Sequence, residues 1–259
     1  MKRGDVPTLR ATLDRRHAVL EATESNVVDK RDLTDRVSAS RSTVDRAVRE
    51  LEQLGLLERT NGGYRQTVVG TLAFNEYERA TERLTAIATS ADVISHLPPD
   101  VDIDVSGLVG AEVLVPTQES PFRAMSYMND LSRQADHFRI CATAVIPPQV
   151  ELFHREVVEN GMSLEAITGQ ESLDVLASQH REHTVEALET GRYDLSITDE
   201  RIPYGVVVAK TPDGPKMCIS FCDGDGIAGT IANDDPTAVA WANERLDDYL
   251  EAGERISSP

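Results

Sequence analysis

The sequence predicts an α+β chain in which a small helical N-terminal domain is joined by a connecting helix to a C-terminal α/β domain with a mixed sheet. Its 259 residues, 40% of them hydrophobic, can bury the cores of two domains. Residues 1–70 hold 13 Lys and Arg against 11 Asp and Glu, whereas the rest of the chain holds 13 against 33. Near residue 100 the hydrophobic pattern changes from helical stripes to short apolar runs.

The composition is strongly acidic, with a formal net charge of −18 and only four lysines among 26 basic residues. Acid excess with few lysines resembles proteins of salt-accumulating archaea, in which salt of about 1 M shortens the electrostatic screening length to about 3 Å; the alternative is an ordinary acidic protein. No apolar run is long enough to span a bilayer and the N-terminus lacks an apolar centre, so we expect a cytoplasmic protein without membrane contact. The three cysteines lack a disulfide spacing and are expected as free thiols.

Three helices are predicted at the N-terminus. Apolar residues at helical spacing indicate helices over 12–24 and 29–37. The polar segment "SAS", residues 38–40, forms a turn in which Ser40 is the expected N-cap of the third helix. That helix carries an apolar stripe formed by Val44, Ala47, Val48, Leu51 and Leu54.

Two helices joined by a three-residue turn describe a helix-turn-helix, whose second helix enters the DNA major groove. Its outward residues are the candidate DNA contacts Arg41, Ser42, Thr43, Arg46 and Arg49. Arg46 has the fork geometry for guanine, whereas Arg49 is better placed for the phosphate backbone. The acidic residues Asp45 and Glu50 on the same helix favour an alternative, in which the domain docks on another protein.

A glycine hairpin follows this helix. Segments 56–60 and 64–67 are predicted as two strands around Asn61, Gly62 and Gly63. A helix-turn-helix followed by such a hairpin is a winged helix, and "STVDRAVRELEQLGLLER" resembles the recognition helix and wing of archaeal and bacterial transcription regulators. We expect double-stranded DNA with a palindromic operator as the partner, contacted in addition by the wing residues Asn61, Tyr64 and Arg65.

Residues 70–96 form an amphipathic connecting helix, and "HLPPD" at 96–100 ends it. A winged helix is small and operators are usually palindromic, so we expect this helix to pack against its copy in a homodimer. The alternative is a helix that only covers its own domain. The predicted domains are a DNA-binding domain at 1–69, a connecting helix and linker at 70–99, and an α/β domain at 100–259.

The C-terminal half alternates strands and helices, which predicts an α/β domain with a mixed sheet. The predicted strands are 101–105, 111–115, 138–145, 163–168, 193–198, 204–209, 217–222 and 227–232. The predicted helices are 121–135, 148–159, 171–190 and 237–252. The segment "KTPDGPK" at 210–216 is expected as a hairpin loop.

This half resembles the effector domain that follows the winged helix in archaeal regulators of the methanogenesis-regulator type, a family widespread in haloarchaea. The segments that carry the resemblance are "GAEVLVPTQESPFRAM", "VIPPQVELFHREVVENGMSLEAI" and "YDLSITDERIPYGVVV". The resemblance implies a domain that senses a small molecule or mediates dimerisation, and it identifies no ligand. Polar residues at predicted strand ends and helix starts are the candidate effector contacts, namely Arg123, Thr143, Arg155, Thr168, His180 and Tyr204.

The sequence gives little support to catalysis, metal binding or a cofactor. An enzyme in the C-terminal domain is the alternative function, but no Walker loop, nucleophile elbow or His-x-Lys signature occurs. His180 and His183 share a helix face without a third ligand, so we predict no metal site. Cys218 and Cys222 are expected in the core, about 13 Å apart along a strand. "CDGDGIAGTIANDD" at 222–235 is interpreted as a hairpin rather than a calcium loop.

Overall fold

The computed structural model describes residues 5–24, 26–95, 97–101, 103–223 and 226–256. The chain divides into two compact units, Met1–Leu84 and Thr85–Pro259. A winged helix-turn-helix, a long helix and a mixed sheet with helices follow one another along the chain, which confirms the predicted fold class.

The first unit begins with three helices, α1 (Val6–Glu21), α2 (Lys30–Arg36) and α3 (Arg41–Gln53). Helix α1 starts six residues before its predicted start, because Asp5 caps the backbone N–H of Thr8 and a proline fits the first turn. As predicted, Ser40 caps α3, its side chain accepting from the backbone N–H of Thr43. The buried residues of α3 are Val44, Ala47, Val48 and Leu51.

The wing is an antiparallel hairpin of β1 (Leu57–Thr60) and β2 (Gly63–Gln66). Two backbone hydrogen bonds of 2.9 Å join Tyr64 to Val28, so the wing is fastened to the segment before α2. Gly63 makes this approach feasible, because a Cβ there would lie 2.2 Å from the Val28 carbonyl oxygen.

Helix α4 (Val68–Ile94) begins directly after the wing and runs from the first unit into the second. Its first turn passes close to the segment between α3 and β1: a Cβ on Gly70 would lie 2.0 Å from the Leu56 carbonyl oxygen. The hydroxyl of Thr67 donates to the carbonyl oxygen of Gly55 at 2.6 Å and accepts from the Gly70 N–H at 3.0 Å. The junction between wing and α4 is therefore fixed by backbone contacts.

The second unit is built on a mixed sheet whose strand order in the described residues is β10-β6-β5-β4-β7-β8-β9-β3. Strands β4, β5 and β6 run parallel, and the other pairs are antiparallel. The strands are β3 (Glu112–Leu114), β4 (His137–Ala142), β5 (Ser163–Thr168), β6 (Tyr193–Ile197), β7 (Gly205–Thr211), β8 (Gly214–Asp223), β9 (Gly226–Asn233) and β10 (Glu254–Arg255).

Helices cover both faces of this sheet. The helices are α5 (Arg123–Gln134), α6 (Pro147–Val158), α7 (Gln170–Gln179), α8 (Arg181–Glu189) and α9 (Pro236–Glu251). Strand β7 lies between two hydrophobic cores, and its residues face them alternately. Val206 and Val208 face the core that contains α9, whereas Val207 and Ala209 face the core that contains residues of α5, α6 and α8. This alternation is the one expected for a strand buried on both faces.

Two sequence predictions in this unit are wrong. Among the described residues of 101–105 there is no strand; their apolar side chains pack singly on the α9 core, and a 3₁₀ turn begins at Val105. The helix predicted over 171–190 is broken at His180, which has φ −129° and ψ 24°. The Ser178 and Thr184 hydroxyls donate to carbonyl oxygens four residues earlier, a side-chain bond that bends helices.

Two further features differ from the sequence interpretation. Strand β10 was not predicted; it pairs with the end of β6. Cys222 is exposed rather than in the core; it lies next to the end of β8, where the ladder between β8 and β9 shifts register. Cys218 is buried, as expected. The turn predicted in the "DGDG" segment includes residues 224 and 225, which lie outside the described residues.

Candidate nucleic-acid interface and ligand cavity

The outward face of α3 carries three arginines, Arg41, Arg46 and Arg49, all exposed. None of them forms an ion pair with any residue that the structure describes. The Ser40 hydroxyl lies 2.9 Å from the Ser42 hydroxyl and 2.8 Å from that of Thr43, so both are gathered at the start of the helix. The five predicted contacts of α3 therefore form one polar, exposed surface, which we call the recognition face.

Two of the three acidic residues of α3, Asp45 and Glu50, are neutralised by other helices. Lys30 at the start of α2 forms an ion pair with Asp45. The Arg16 side chain of α1 donates two hydrogen bonds to Glu50, of 2.9 and 3.1 Å, and these hold the pKa of that carboxyl below its ordinary value. The exposed, unpaired charges of α3 are then three arginines against one carboxylate, that of Glu52, so its outward charge is net positive, which weakens the argument for a protein-docking module.

The wing residues differ from one another in their surroundings. Asn61 is exposed at the turn. Arg65 is exposed but donates to Glu58 at 2.6 Å, which reduces its availability to a phosphate. Tyr64 packs against the core of the first unit. Arg59, which the sequence interpretation omitted, is exposed on β1 and has no ion pair within the described residues.

A cavity of about 120 Å³ lies on one face of the sheet in the second unit. Its floor is formed by β4, β5, β7 and β8, and it is lined from above by α6, α7 and α8. The segment that follows β4, residues 143–146, contributes one wall. This is the carboxyl end of the parallel strands, where open α/β sheets bind ligands.

The cavity has mostly carbon walls with few polar atoms. Two hydroxyl groups in it, those of Thr143 and Ser220, are buried without a hydrogen-bond partner. The Thr168 hydroxyl donates to the Ala142 carbonyl oxygen at 3.2 Å. Gln149 donates to Asn129 at 2.6 Å. The apolar lining includes Met128, Ile140, Val145, Phe153, Leu164, Leu176, Leu195 and Val207.

Two histidines border the cavity. His154 of α6 and His183 of α8 lie with ring centroids 4.5 Å apart, and His154 Nε2 is 2.8 Å from a carboxylate oxygen of Glu186. Cys222, which is exposed, also lines the cavity and marks an opening to solvent. Within the described residues no group of three His, Cys, Asp or Glu side chains is arranged to hold a metal ion.

The six predicted effector contacts do not come together. Thr143 and Thr168 line the cavity. Arg123 pairs with Glu112 at 2.9 Å, and Arg155 is exposed beside Glu156. His180 lies at the α7–α8 break in a separate surface depression, with its Nε2 buried and unpartnered, and Tyr204 is buried in the α9 core on the other face of the sheet.

The sequence interpretation missed Ser220 and His154 as cavity residues. Ser220 sits in a run of apolar strand residues, where a polar side chain is the one signal that could have found it. No sequence pattern marks His154 as a cavity residue, because its approach to His183 depends on the packing of α6 on α8.

None of the helices in the described part of the chain has the length and apolar character of a bilayer-spanning segment.

Two protein-family models match parts of the chain. Residues 121–252 match the model of the methanogenesis regulatory protein FilR1, middle domain. Residues 5–89 match the model of the HVO_A0261 N-terminal domain. A winged helix-turn-helix followed by a domain of a regulatory protein defines the class of the chain as a transcriptional regulator. The chain belongs to the family of the methanogenesis regulatory protein FilR1, whose middle-domain model spans just over half of it.

Solved structures with similar folds are distant. The archaeal chromatin protein TrmBL2 matches with a TM-score of 0.43 and 13% identity, over 98% of this chain and 96% of that chain. Nuc, a phospholipase D family member from Salmonella typhimurium, matches with 0.43 and 12%, over 57% and 99%. An IclR homolog from Microbacterium sp. matches with 0.26 and 14%, over 94% and 99%. A search of curated proteins found no match.

Proposed function

We propose that the chain is a sequence-specific regulator that binds double-stranded DNA in the cytoplasm through the recognition face and the wing. The observation that carries this proposal is the pairing pattern on α3. Two of its three carboxylates, Asp45 and Glu50, are bound by a base from another helix, whereas Arg41, Arg46 and Arg49 are exposed and have no ion pair with the described residues. A helix with this pattern adds positive charge where phosphates would lie.

Within this proposal the arginines have different roles. Arg46, one turn into α3, is positioned to reach base edges and donates two parallel hydrogen bonds to guanine. Arg41 and Arg49, nearer the ends of the helix, bind phosphates, which fixes the position of the protein without reading sequence. Arg59 and Asn61 of the wing add contacts to the DNA backbone.

The proposed DNA-binding form is a homodimer that contacts a palindromic operator. Helix α4 exposes Val69, Leu72, Leu84 and Ile87, which at 3.6 residues per turn fall on one side of the helix. Exposed apolar side chains at such spacing favour packing against a second copy. A two-fold dimer presents two recognition helices to half-sites about 34 Å apart.

The second unit is proposed to control DNA binding through a small molecule in its cavity. Supporting this are the position of the cavity at the carboxyl ends of parallel strands and its two unpartnered hydroxyls. The functional domains in this proposal are those predicted from sequence, 1–69, 70–99 and 100–259. A ligand that binds one conformation more tightly than the other shifts operator affinity by the ratio of its two affinities.

Genome-wide immunoprecipitation of the tagged chain in its native host, followed by fluorescence anisotropy on the recovered sites, tests the function. We expect Arg46→Ala to lose about 1–3 kcal/mol at one base position and Arg49→Ala to weaken all sequences alike. Arg133→Ala, which removes an exposed arginine of α5, is the matched control and should leave binding unchanged.

Flat occupancy for the wild-type chain would contradict the DNA-binding proposal. A protein partner that is retained by Arg46→Ala would then support a docking module. Turnover of a substrate by the full chain would support an enzyme.

A further inference from the structure

We propose that the cavity of the second unit binds a small, neutral, mostly apolar molecule that carries one hydroxyl or carbonyl group, and that Ser220 and Thr143 bind that group. This rests on the proposed sensing function of the second unit and specifies the chemistry of its ligand. It follows from four properties of the cavity: its unpartnered hydroxyls, its bare floor, its lack of cationic groups and its size.

The first property is a pair of polar atoms that the fold leaves unsatisfied. Ser220 is only 6% exposed, and its Oγ has no hydrogen-bond partner among the described residues. The same is true of the buried Thr143 Oγ1. Leaving a buried hydroxyl unbonded is costly, and native proteins satisfy most such groups. A ligand group that donates and accepts hydrogen bonds would satisfy both hydroxyls.

The second property is a gap in the floor beside Ser220. Gly205 of β7 pairs with Ser220 of β8, and both line the cavity. A Cβ at Gly205 would meet Cys141 O at 3.4 Å and Ser220 Cβ at 3.5 Å, so the fold itself leaves room for an alanine. A glycine at the start of a strand, where a side chain would fit, leaves space for close approach of another molecule. The bare backbone lets a ligand lie against the sheet next to the Ser220 hydroxyl.

The third property disfavours an anionic ligand. The described lining contains no lysine or arginine. Helix α6 begins at the cavity wall, but its first two residues, Pro147 and Pro148, have no N–H. The next two N–H groups, those of Gln149 and Val150, both donate to the Ile146 carbonyl oxygen. The start of α6 therefore offers no free donor to a carboxylate or phosphate, and Glu186 beside His154 adds negative charge at the border.

The fourth property is size. An apolar cavity of about 150 Å³ binds benzene, and this cavity measures about 120 Å³. The ligand is thus comparable to a single substituted ring or a short branched chain. Phenol has this size, stays neutral at pH 7 and carries one hydroxyl, so it is the probe for the site.

Isothermal titration of the full chain with phenol, toluene and benzoate tests the inference. We expect saturable binding of phenol, roughly millimolar or tighter, with toluene weaker and benzoate weakest. Ser220→Ala should weaken phenol binding about tenfold through the lost hydrogen bond. Ser90→Ala removes an equally buried, unpartnered hydroxyl outside the cavity and should leave phenol binding unchanged. Gly205→Ala fills the floor without a clash and should reduce binding at least as much.

Absence of saturable phenol binding, tighter binding of benzoate than of phenol, or unchanged binding in both Ser220→Ala and Gly205→Ala would each overturn the inference. The anisotropy assay separates this result from the proposed function. Phenol binding with the expected variant pattern, but without any effect on operator affinity, supports the ligand class and overturns the proposed control of DNA binding. Loss of sequence-specific DNA binding leaves the titration result intact.

Discussion

Arg16 of α1 lowers the pKa of the Glu50 carboxyl in α3. Its guanidinium is largely buried and bonds the Glu50 carboxylate with two hydrogen bonds, while Arg15 lies 3.8 Å from the same group. The pair joins α1 to α3 and removes a negative charge from the recognition face. The Glu50 side chain of this ion pair is partly exposed to solvent. The contribution of the pair to the free energy of unfolding is therefore expected to be modest, about 1 kcal/mol or less.

The Glu50 pair predicts a pH dependence of stability. Its folded-state pKa is lowered from the ordinary 4.5, chiefly by the hydrogen bond from Arg16. A lowered pKa contributes stability that is present above pH 4.5 and is lost as the pH falls through the folded-state value. Urea denaturation of the wild type and Glu50→Gln should therefore show a difference near neutral pH that shrinks in acid.

Glu52→Gln is the control for this measurement, since Glu52 lies on the same helix, is exposed and has no ion pair among the described residues. A wild-type advantage over Glu50→Gln that stays constant down to pH 3, or a pH-dependent change of equal size in Glu52→Gln, would show that the Arg16 pair does not set this dependence.

The wing and α4 are joined by a closely packed backbone contact. Gly70 lies against the backbone of Leu56, and Thr67 bonds both sides of the junction. The start of α4 is consequently held in place by the close backbone contact at Gly70 and by the Thr67 hydroxyl. Backbone contacts of this kind give way only by moving whole elements.

Gly70→Ala is expected to destabilise the first unit, because the new methyl group would lie 2.0 Å from the Leu56 carbonyl oxygen. The cost of such overpacking is about 1–3 kcal/mol or more. Hydrogen exchange of the full chain should show faster exchange in peptides from 54–75. Gly169→Ala, where a Cβ meets nothing within 4 Å, is the control and should leave exchange unchanged. Unaltered protection in Gly70→Ala would contradict this account.

The sequence predicted those elements whose boundaries are set by residues close to them in the sequence. Helix α3 is one: its apolar stripe and the Ser40 cap lie within one segment. The break at His180 has no glycine or proline to announce it, and β10 forms only because α9 returns the chain to β6. The cavity needs topology as well, since β7 lies between β4 and β8 and so brings Ser220 and Thr143 to one pocket from distant parts of the sequence.

The formal net charge of −18 opposes association of two copies of the chain unless salt screens it. The proposed dimer contact on α4 is apolar, and burial of apolar side chains does not weaken in salt. Assembly of this acidic chain is therefore expected to be favoured by high salt, the reverse of what holds for an assembly based on ion pairs.

Size-exclusion chromatography with light scattering should give a dimer in 2–3 M KCl, within the range in which the screening length is about 3 Å or less. Leu84→Glu combined with Ile87→Glu should convert it to a monomer, because the exposed apolar side chains then carry charge. Phe122→Glu alters a comparably exposed apolar residue away from α4 and should remain dimeric. A monomeric wild-type chain in high salt would exclude the proposed homodimer.

The two ends of the large sheet are short strands, β10 with two residues and β3 with three. Strand β10 pairs with Ser196 and Ile197 of β6, and its Arg255 forms an ion pair with Asp194, so this edge of the sheet carries charged side chains. Another chain can pair with a sheet edge through a long row of unpaired backbone N–H and C=O groups, and a short, charged edge strand offers few such groups. The second unit is therefore protected against the edge-to-edge aggregation that threatens open sheets in a crowded cell, and removing residues 254–256 would expose the rim of β6 and take away that protection.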